Sequence, residues 1–123
     1  MDKAIVKSLC EAGTGRCLLP RVRFANSAWS RFVGLMGRSG LEAGTGLYFP
    51  RCSSIHMFFM RFPIDVVYFE AGRSVVKIMT RLKPWRLSFC PGADSVLEAS
   101  AGWVGSVEIG VGDQVEFREP REN

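Results

Sequence analysis

The chain has one histidine, His56, and four cysteines, Cys10, Cys17, Cys52 and Cys90, no two of them at C-x-x-C spacing. A structural zinc site needs about four Cys/His ligands in tight spacing, so no metal site is expected. No apolar run is long enough to span a bilayer. Met1-Asp2-Lys3-Ala4-Ile5-Val6-Lys7 is charged and has no signal-peptide core, so a soluble, cytoplasmic protein is expected. Gly13-Thr14-Gly15 lacks the lysine and helix of a phosphate loop, and no serine elbow is present. Nothing calls for a cofactor. Repeats and low-complexity segments are absent too.

What is present is an ordinary globular balance: 123 residues, 47% hydrophobic and 23% charged. That length suits one domain, expected over residues 1–117, with residues 118–123 a frayed tail. The net charge of +4 is uneven, +6 over residues 1–61 and −2 over residues 62–123. Arg73, Lys77, Arg81, Lys83 and Arg86 follow one another with no acid between them. Such a stretch can meet an anion or a nucleic acid, but its loose spacing fits a solvated strand face better, so nucleic-acid binding is the weaker alternative.

The centre of the chain is the stretch from Ser53 to Glu70. Ile55–Met60 and Ile64–Phe69 are rich in aromatic and β-branched residues and read as two strands, with Pro63 at their junction. Both faces of the first are apolar, which predicts burial on both sides. Before them, Ile5–Cys10 and Cys17–Phe24 flank a glycine-bearing turn and predict a hairpin that sets Cys10 opposite Cys17 as free thiols, with Pro20 holding the second strand near an edge. Trp29, Phe32, Val33 and Met36 form one stripe of a short amphipathic helix begun by Asn26 or Ser27. Further strands are predicted at 47–49, 74–79, 95–99 and 114–117, an irregular loop at 81–86, and a short helix or loop at 101–109. The expected fold is mainly β (α+β): a small curled sheet or barrel of short, mostly antiparallel strands with one or two short helices.

These residues also carry a family pattern. Gly34-Leu35-Met36-Gly37-Arg38, Gly46-Leu47-Tyr48-Phe49, Phe59-Met60-Arg61-Phe62-Pro63-Ile64-Asp65, Lys83-Pro84-Trp85-Arg86, Val96-Leu97-Glu98, Ala101-Gly102 and Val111-Gly112-Asp113-Gln114-Val115 occur in order. Over about residues 31–117 the chain resembles the uncharacterised bacterial family called domain of unknown function 192. Met57 departs from the threonine of the Ile-His-Thr-Phe-Phe-Met branch, and Ser100 stands where a proline precedes Ala-Gly. The resemblance implies a compact, mainly β fold with short helices and supplies no activity. Many members look exported; the N-terminus here shows no such segment.

Two polar groups interrupt the grease of the central strands, His56 and Asp65, and each needs a partner if buried. A lone histidine on an apolar strand is more often a satisfied core group than a base. Asp65, just past Pro63-Ile64, most simply accepts backbone N–H bonds from the turn or pairs with Arg61. Trp85, flanked by Lys83 and Arg86, can stack a ring or seat an anion, and can equally plug a barrel end. Two classes therefore stand. One is a non-catalytic module binding a small anionic or ring-bearing ligand, or a protein partner, with His56, Asp65, Trp85, Arg86 and Lys83 as candidate residues. The other is a small enzyme using His56 and Asp65 as an acid–base pair. The missing catalytic constellation favours the first.

Overall fold

The structure is a computed structural model, and it describes residues 5–25, 41–57 and 60–121. The chain opens with the expected hairpin, β1 (Val6–Glu11) and β2 (Cys17–Phe24), paired antiparallel. Its turn is tied by Glu11, whose carboxylate accepts from the Thr14 hydroxyl at 2.6 Å and the Arg16 guanidinium at 3.2 Å. Those two donors, Thr14 first, hold the Glu11 carboxyl below its usual range.

Pro20 does not put β2 at an edge: the strand lies between β1 and β3 (Thr45–Pro50). Pro20 is tolerated because it sits in a register irregularity. Leu9 pairs with Leu19 and Lys7 with Val22, while pairing with β3 begins only at Arg21. The bulge frees the Pro20 carbonyl, which accepts from the Ser8 hydroxyl at 2.7 Å. β2 and β3 run parallel, a pairing that a tight turn cannot connect. The helix predicted from Asn26 to Met36 and the Gly34–Arg38 box lie outside the described residues.

The remaining strands are β4 (Ser54–His56), β5 (Ile64–Phe69), β6 (Val75–Leu82), β7 (Leu87–Phe89), β8 (Ser95–Ser100) and β9 (Val115–Arg118), with one helix, α1 (Trp103–Val107), among the described residues. Seven strands form a single mixed sheet in the order β6-β5-β8-β3-β2-β1-β9, and β4 and β7 pair as a separate ribbon. β5 lies between β6 and β8, and all six of its residues are buried. Val67 and Phe69 join a cluster on one face with Leu9, Leu19, Val22, Tyr48, Leu97 and the α1 residues Trp103 and Val104. Ile64, Val66 and Tyr68 join the opposite cluster with Leu47, Phe49, Val96, Ile55 and Met57, which the ribbon covers. A strand of β-branched and aromatic residues with no polar face but Asp65 is what two such layers require.

The sheet is curled and not closed. Its edge strands β6 and β9 meet only at one corner, through the bridge between Ser74 and Gln114 and bonds such as Val75 N–H to Asp113 O at 2.8 Å. Phe117 on β9 stacks edge-on against Phe24 and Tyr48, each with ring centres 4.8 Å apart, and Arg73 lies 5.0 Å above its ring. Three local readings change. Among the described residues the strand predicted over Ile55–Met60 is β4, Ser54–His56, the strand after the Gly72 turn runs on to Leu82 through part of the expected loop, and a further short strand, β7, starts at Leu87.

Candidate functional site

The ribbon gathers most of the residues singled out in the sequence. Ser54 pairs with Phe89, Ile55 with Ser88 and His56 with Leu87. Opposed residues share a face, so Ile55 and Ser88 point inward and are buried, while Ser54, His56, Leu87 and Phe89 point outward and are exposed. The pairing is extended by Met57 N–H to Arg86 O at 2.8 Å and Trp85 N–H to Met57 O at 2.7 Å. Lys83 and Arg86 close the turn through Arg86 N–H to Lys83 O. Trp85 has a φ of 67°, a left-handed conformation that costs an L-residue roughly 1–2 kcal/mol. The bonds around it hold that conformation.

Three of the five large apolar side chains that stand well exposed among the described residues are therefore neighbours: Trp85 at 59%, Leu87 at 60% and Phe89 at 61%. The run from β6 through β7, residues 76–93, contains four Lys/Arg and no Asp or Glu. Leu87 and Phe89 escape the sequence reading for a physical reason. In Leu87-Ser88-Phe89 the alternation is inverted, apolar outward and polar inward. Ser88 faces in because the buried Tyr68 hydroxyl donates to its Oγ at 3.0 Å. Burial raises the Tyr68 pKa, and the Ser88 bond partly opposes that shift.

Asp65 lies apart from this face. It is 1% exposed, on the opposite side of β5 from Tyr68. Its Oδ1 accepts from Arg81 N–H at 2.9 Å, and its Oδ2 from Gly102 N–H at 3.2 Å and Val104 N–H at 2.9 Å. The donors are the end of β6 and the start of α1, not the local turn or Arg61. The carboxylate thus ties two elements together through groups that would otherwise be orphan donors. His56, Trp85, Lys83 and Arg86 share the ribbon and its turn; Asp65 does not.

The basic stretch divides in the same way. Arg73 covers Phe117, whereas Lys77 lies 5.9 Å from the Tyr68 ring and donates to Phe89 O at 2.8 Å. No group of three or more His, Cys, Asp or Glu among the described residues is placed to hold a metal. No helix among them is long and apolar enough to cross a membrane.

A curled mixed sheet with, among the described residues, one short helix and an outer two-stranded ribbon defines the class of fold. The model of the family domain of unknown function 192, described as "Uncharacterized ACR", matches residues 10–117, and the chain belongs to that family. It is 31% identical over 114 residues to a UPF0127 protein of Thermococcus sibiricus, covering 88% of this chain and 73% of that one. It is 34% identical over 112 residues to one of Pyrococcus furiosus, covering 84% and 91%. A protein of unknown function from Novosphingobium aromaticivorans has a similar fold, with a TM-score of 0.76, 24% identity and 92% and 84% coverage. So does a putative transcription regulator from Sinorhizobium meliloti, with a TM-score of 0.79, 23% identity and 95% and 97% coverage. At those identities the likeness concerns the fold alone.

Proposed function

We propose that the protein is a non-catalytic binding module and that the outward face of the β4–β7 ribbon is its binding surface. The observation that carries this is the exposure of three large apolar side chains within five residues, Leu87 and Phe89 on the outward face of β7 and Trp85 in the turn before it, since soluble proteins seldom leave such a cluster without use. The occupant that fits is an acidic, extended segment of a protein partner bearing aromatic or aliphatic side chains. Its apolar groups cover Leu87 and Phe89, the Trp85 ring supplies the large anchor typical of an interface centre, and its carboxylates meet Lys83 and Arg86.

The acid–base alternative draws no support from Asp65, whose oxygens are committed to three backbone N–H groups and closed to solvent. Nucleic-acid binding draws little from residues 73–86, because Arg73 and Lys77 lie over rings in different clusters.

The test is selection of random peptides displayed on phage against the whole protein, with the variant Leu87→Ser/Phe89→Ser screened in parallel. Enriched peptides should carry Asp or Glu beside aromatic residues and bind the variant at least about tenfold more weakly. Failure to enrich any peptide, or enrichment equal on the two proteins, rejects the reading.

A further inference from the structure

The β1–β2 hairpin holds a second chemical feature, far in sequence from the ribbon. Cys10 and Cys17 are direct cross-strand partners. The neighbouring site is the hydrogen-bonded one: Glu11 N–H donates to Arg16 O at 2.8 Å, and Glu11 O accepts from Gly15 N–H at 2.9 Å across a bulge. Hydrogen-bonded and non-hydrogen-bonded pairs alternate along an antiparallel ladder, so Cys10 and Cys17 occupy a non-hydrogen-bonded pair. There the Cα atoms approach to about 4.5 Å and the side chains are closest, which falls within the range a disulfide spans. The two thiols lie near enough to interact, Cys17 disfavouring the thiolate of Cys10. They differ in access: Cys17 is exposed and Cys10 is buried, at 4%. The other two cysteines pack with the second cluster under the ribbon, and the Cys52 thiol donates to Ser54 O at 3.0 Å.

We propose that Cys10 and Cys17 form a redox-active dithiol that a low-molecular-weight disulfide converts to a cross-strand disulfide, with Cys17 attacking and Cys10 resolving. In the first step the Cys17 thiolate attacks one sulfur of the small disulfide. The S–S bond breaks, one small thiol leaves with the proton, and Cys17 carries the other half as a mixed disulfide. In the second step the Cys10 sulfur attacks Cys17 and expels the second small thiol. The protein loses two electrons and two protons, and the oxidant is reduced to two thiols. Attack must begin at Cys17 because only that sulfur faces solvent. Cys10 acts second: burial, the neighbouring Cys17 and Glu116 on β9 disfavour its thiolate, and Arg118 only partly offsets them. Closure fastens β1 to β2 around a turn that Arg16 also ties to α1, through a bond to Val107 O at 2.9 Å.

The experiment uses the whole reduced protein in buffers of increasing oxidised-to-reduced glutathione ratio, quenched with acid, alkylated and digested with trypsin. Cleavage after Lys7, Arg16 and Arg21 places Cys10 on residues 8–16 and Cys17 on residues 17–21. As the ratio rises, the two peptides should appear joined, lighter by two hydrogens than their sum, while Cys52 and Cys90 are alkylated. Cys10→Ala should stop at Cys17 bearing one glutathione, and Cys17→Ser should leave Cys10 alkylated. Because Cys10 is buried, its replacement risks misfolding, so the wild-type mapping decides alone. Cys17 carrying glutathione in excess oxidant with no joined peptide overturns the proposal, as does a cross-link between Cys52 and Cys90 in its place.

Discussion

Replacing Asp65 by asparagine keeps the side chain's shape and reverses half of its hydrogen-bond polarity. One oxygen of three-donor geometry becomes an amide NH2 facing backbone N–H groups of Arg81, or of Gly102 and Val104. Asp65→Asn should therefore cost about 1–3 kcal/mol, the penalty for stranding buried donors, read as a lower urea midpoint at neutral pH. An unchanged midpoint would mean the carboxylate is not the tie between β6 and α1. Tyr68 gives a second residue-scale test, on the alkaline side. Its phenol pKa is raised by burial, so the folded state holds the proton more tightly than the unfolded chain. The stability this represents is fully present below the unfolded value of about 10 and is lost as pH rises through the higher folded value. Tyr68→Phe should be less stable than the parent by about 1 kcal/mol near neutrality, having left Ser88 without its donor. It should lose less stability than the parent above about pH 10, which paired denaturation curves would reveal.

The ribbon separates binding from stability along two short strands. Leu87 and Phe89 point outward, so Leu87→Ser/Phe89→Ser should move the unfolding free energy by no more than about 0.5 kcal/mol. Ile55, between them on the buried face, is 5% exposed and packs in the second cluster. Ile55→Ala should cost about 2–5 kcal/mol, and equal effects from the two variants would show that the faces are misassigned. The same ribbon marks where residue pattern stops being informative. The hairpin and the strand β5 are legible, because the first has its own turn residues and the second an unbroken apolar run, whereas residues 101–109 read as either a short helix or a loop and only Trp103–Val107 is helical. The ribbon is not legible: β4 and β7 pair for only three residues each, and Ser88 turns inward for a partner, Tyr68, that lies on another sheet. Asp65 is half legible. A carboxylate between Ile64 and Val66 must accept backbone N–H bonds, but that the donors come from Arg81, Gly102 and Val104 depends on tertiary packing no local rule contains.

At the scale of the molecule, the curled sheet depends on how its two edges meet. Phe117 fills that corner, touching Phe24 and Tyr48 and lying under Arg73. It is only half-buried, so Phe117→Ala should cost about 2 kcal/mol, less than the 3–5 of a fully enclosed ring. Amide exchange should quicken selectively at Val75 and Val115, whose N–H groups cross the corner. Exchange that quickens evenly over the sheet would place the corner inside the main cooperative unit. The seven-strand order is the least legible feature: short strands at regular spacing announce a sheet, but nothing local says that β8 inserts between β3 and β5 or that β1 takes β9 as its outer neighbour.

The pairing of β1 with β9 brings Leu9 opposite Phe117, across most of the chain. Closing so long a loop must be completed before its contacts repay the lost chain entropy, which slows folding toward the millisecond-to-second range of non-local β proteins. On the ribosome the delay is longer. At roughly 5–20 residues per second, β9 is synthesised on the order of 5–20 s after β1, and for that interval one backbone edge of the hairpin has no neighbour. A bare strand edge invites pairing with another nascent chain. The interval between these two strands, more than the strength of either, therefore sets when this protein is most exposed to aggregation during its synthesis.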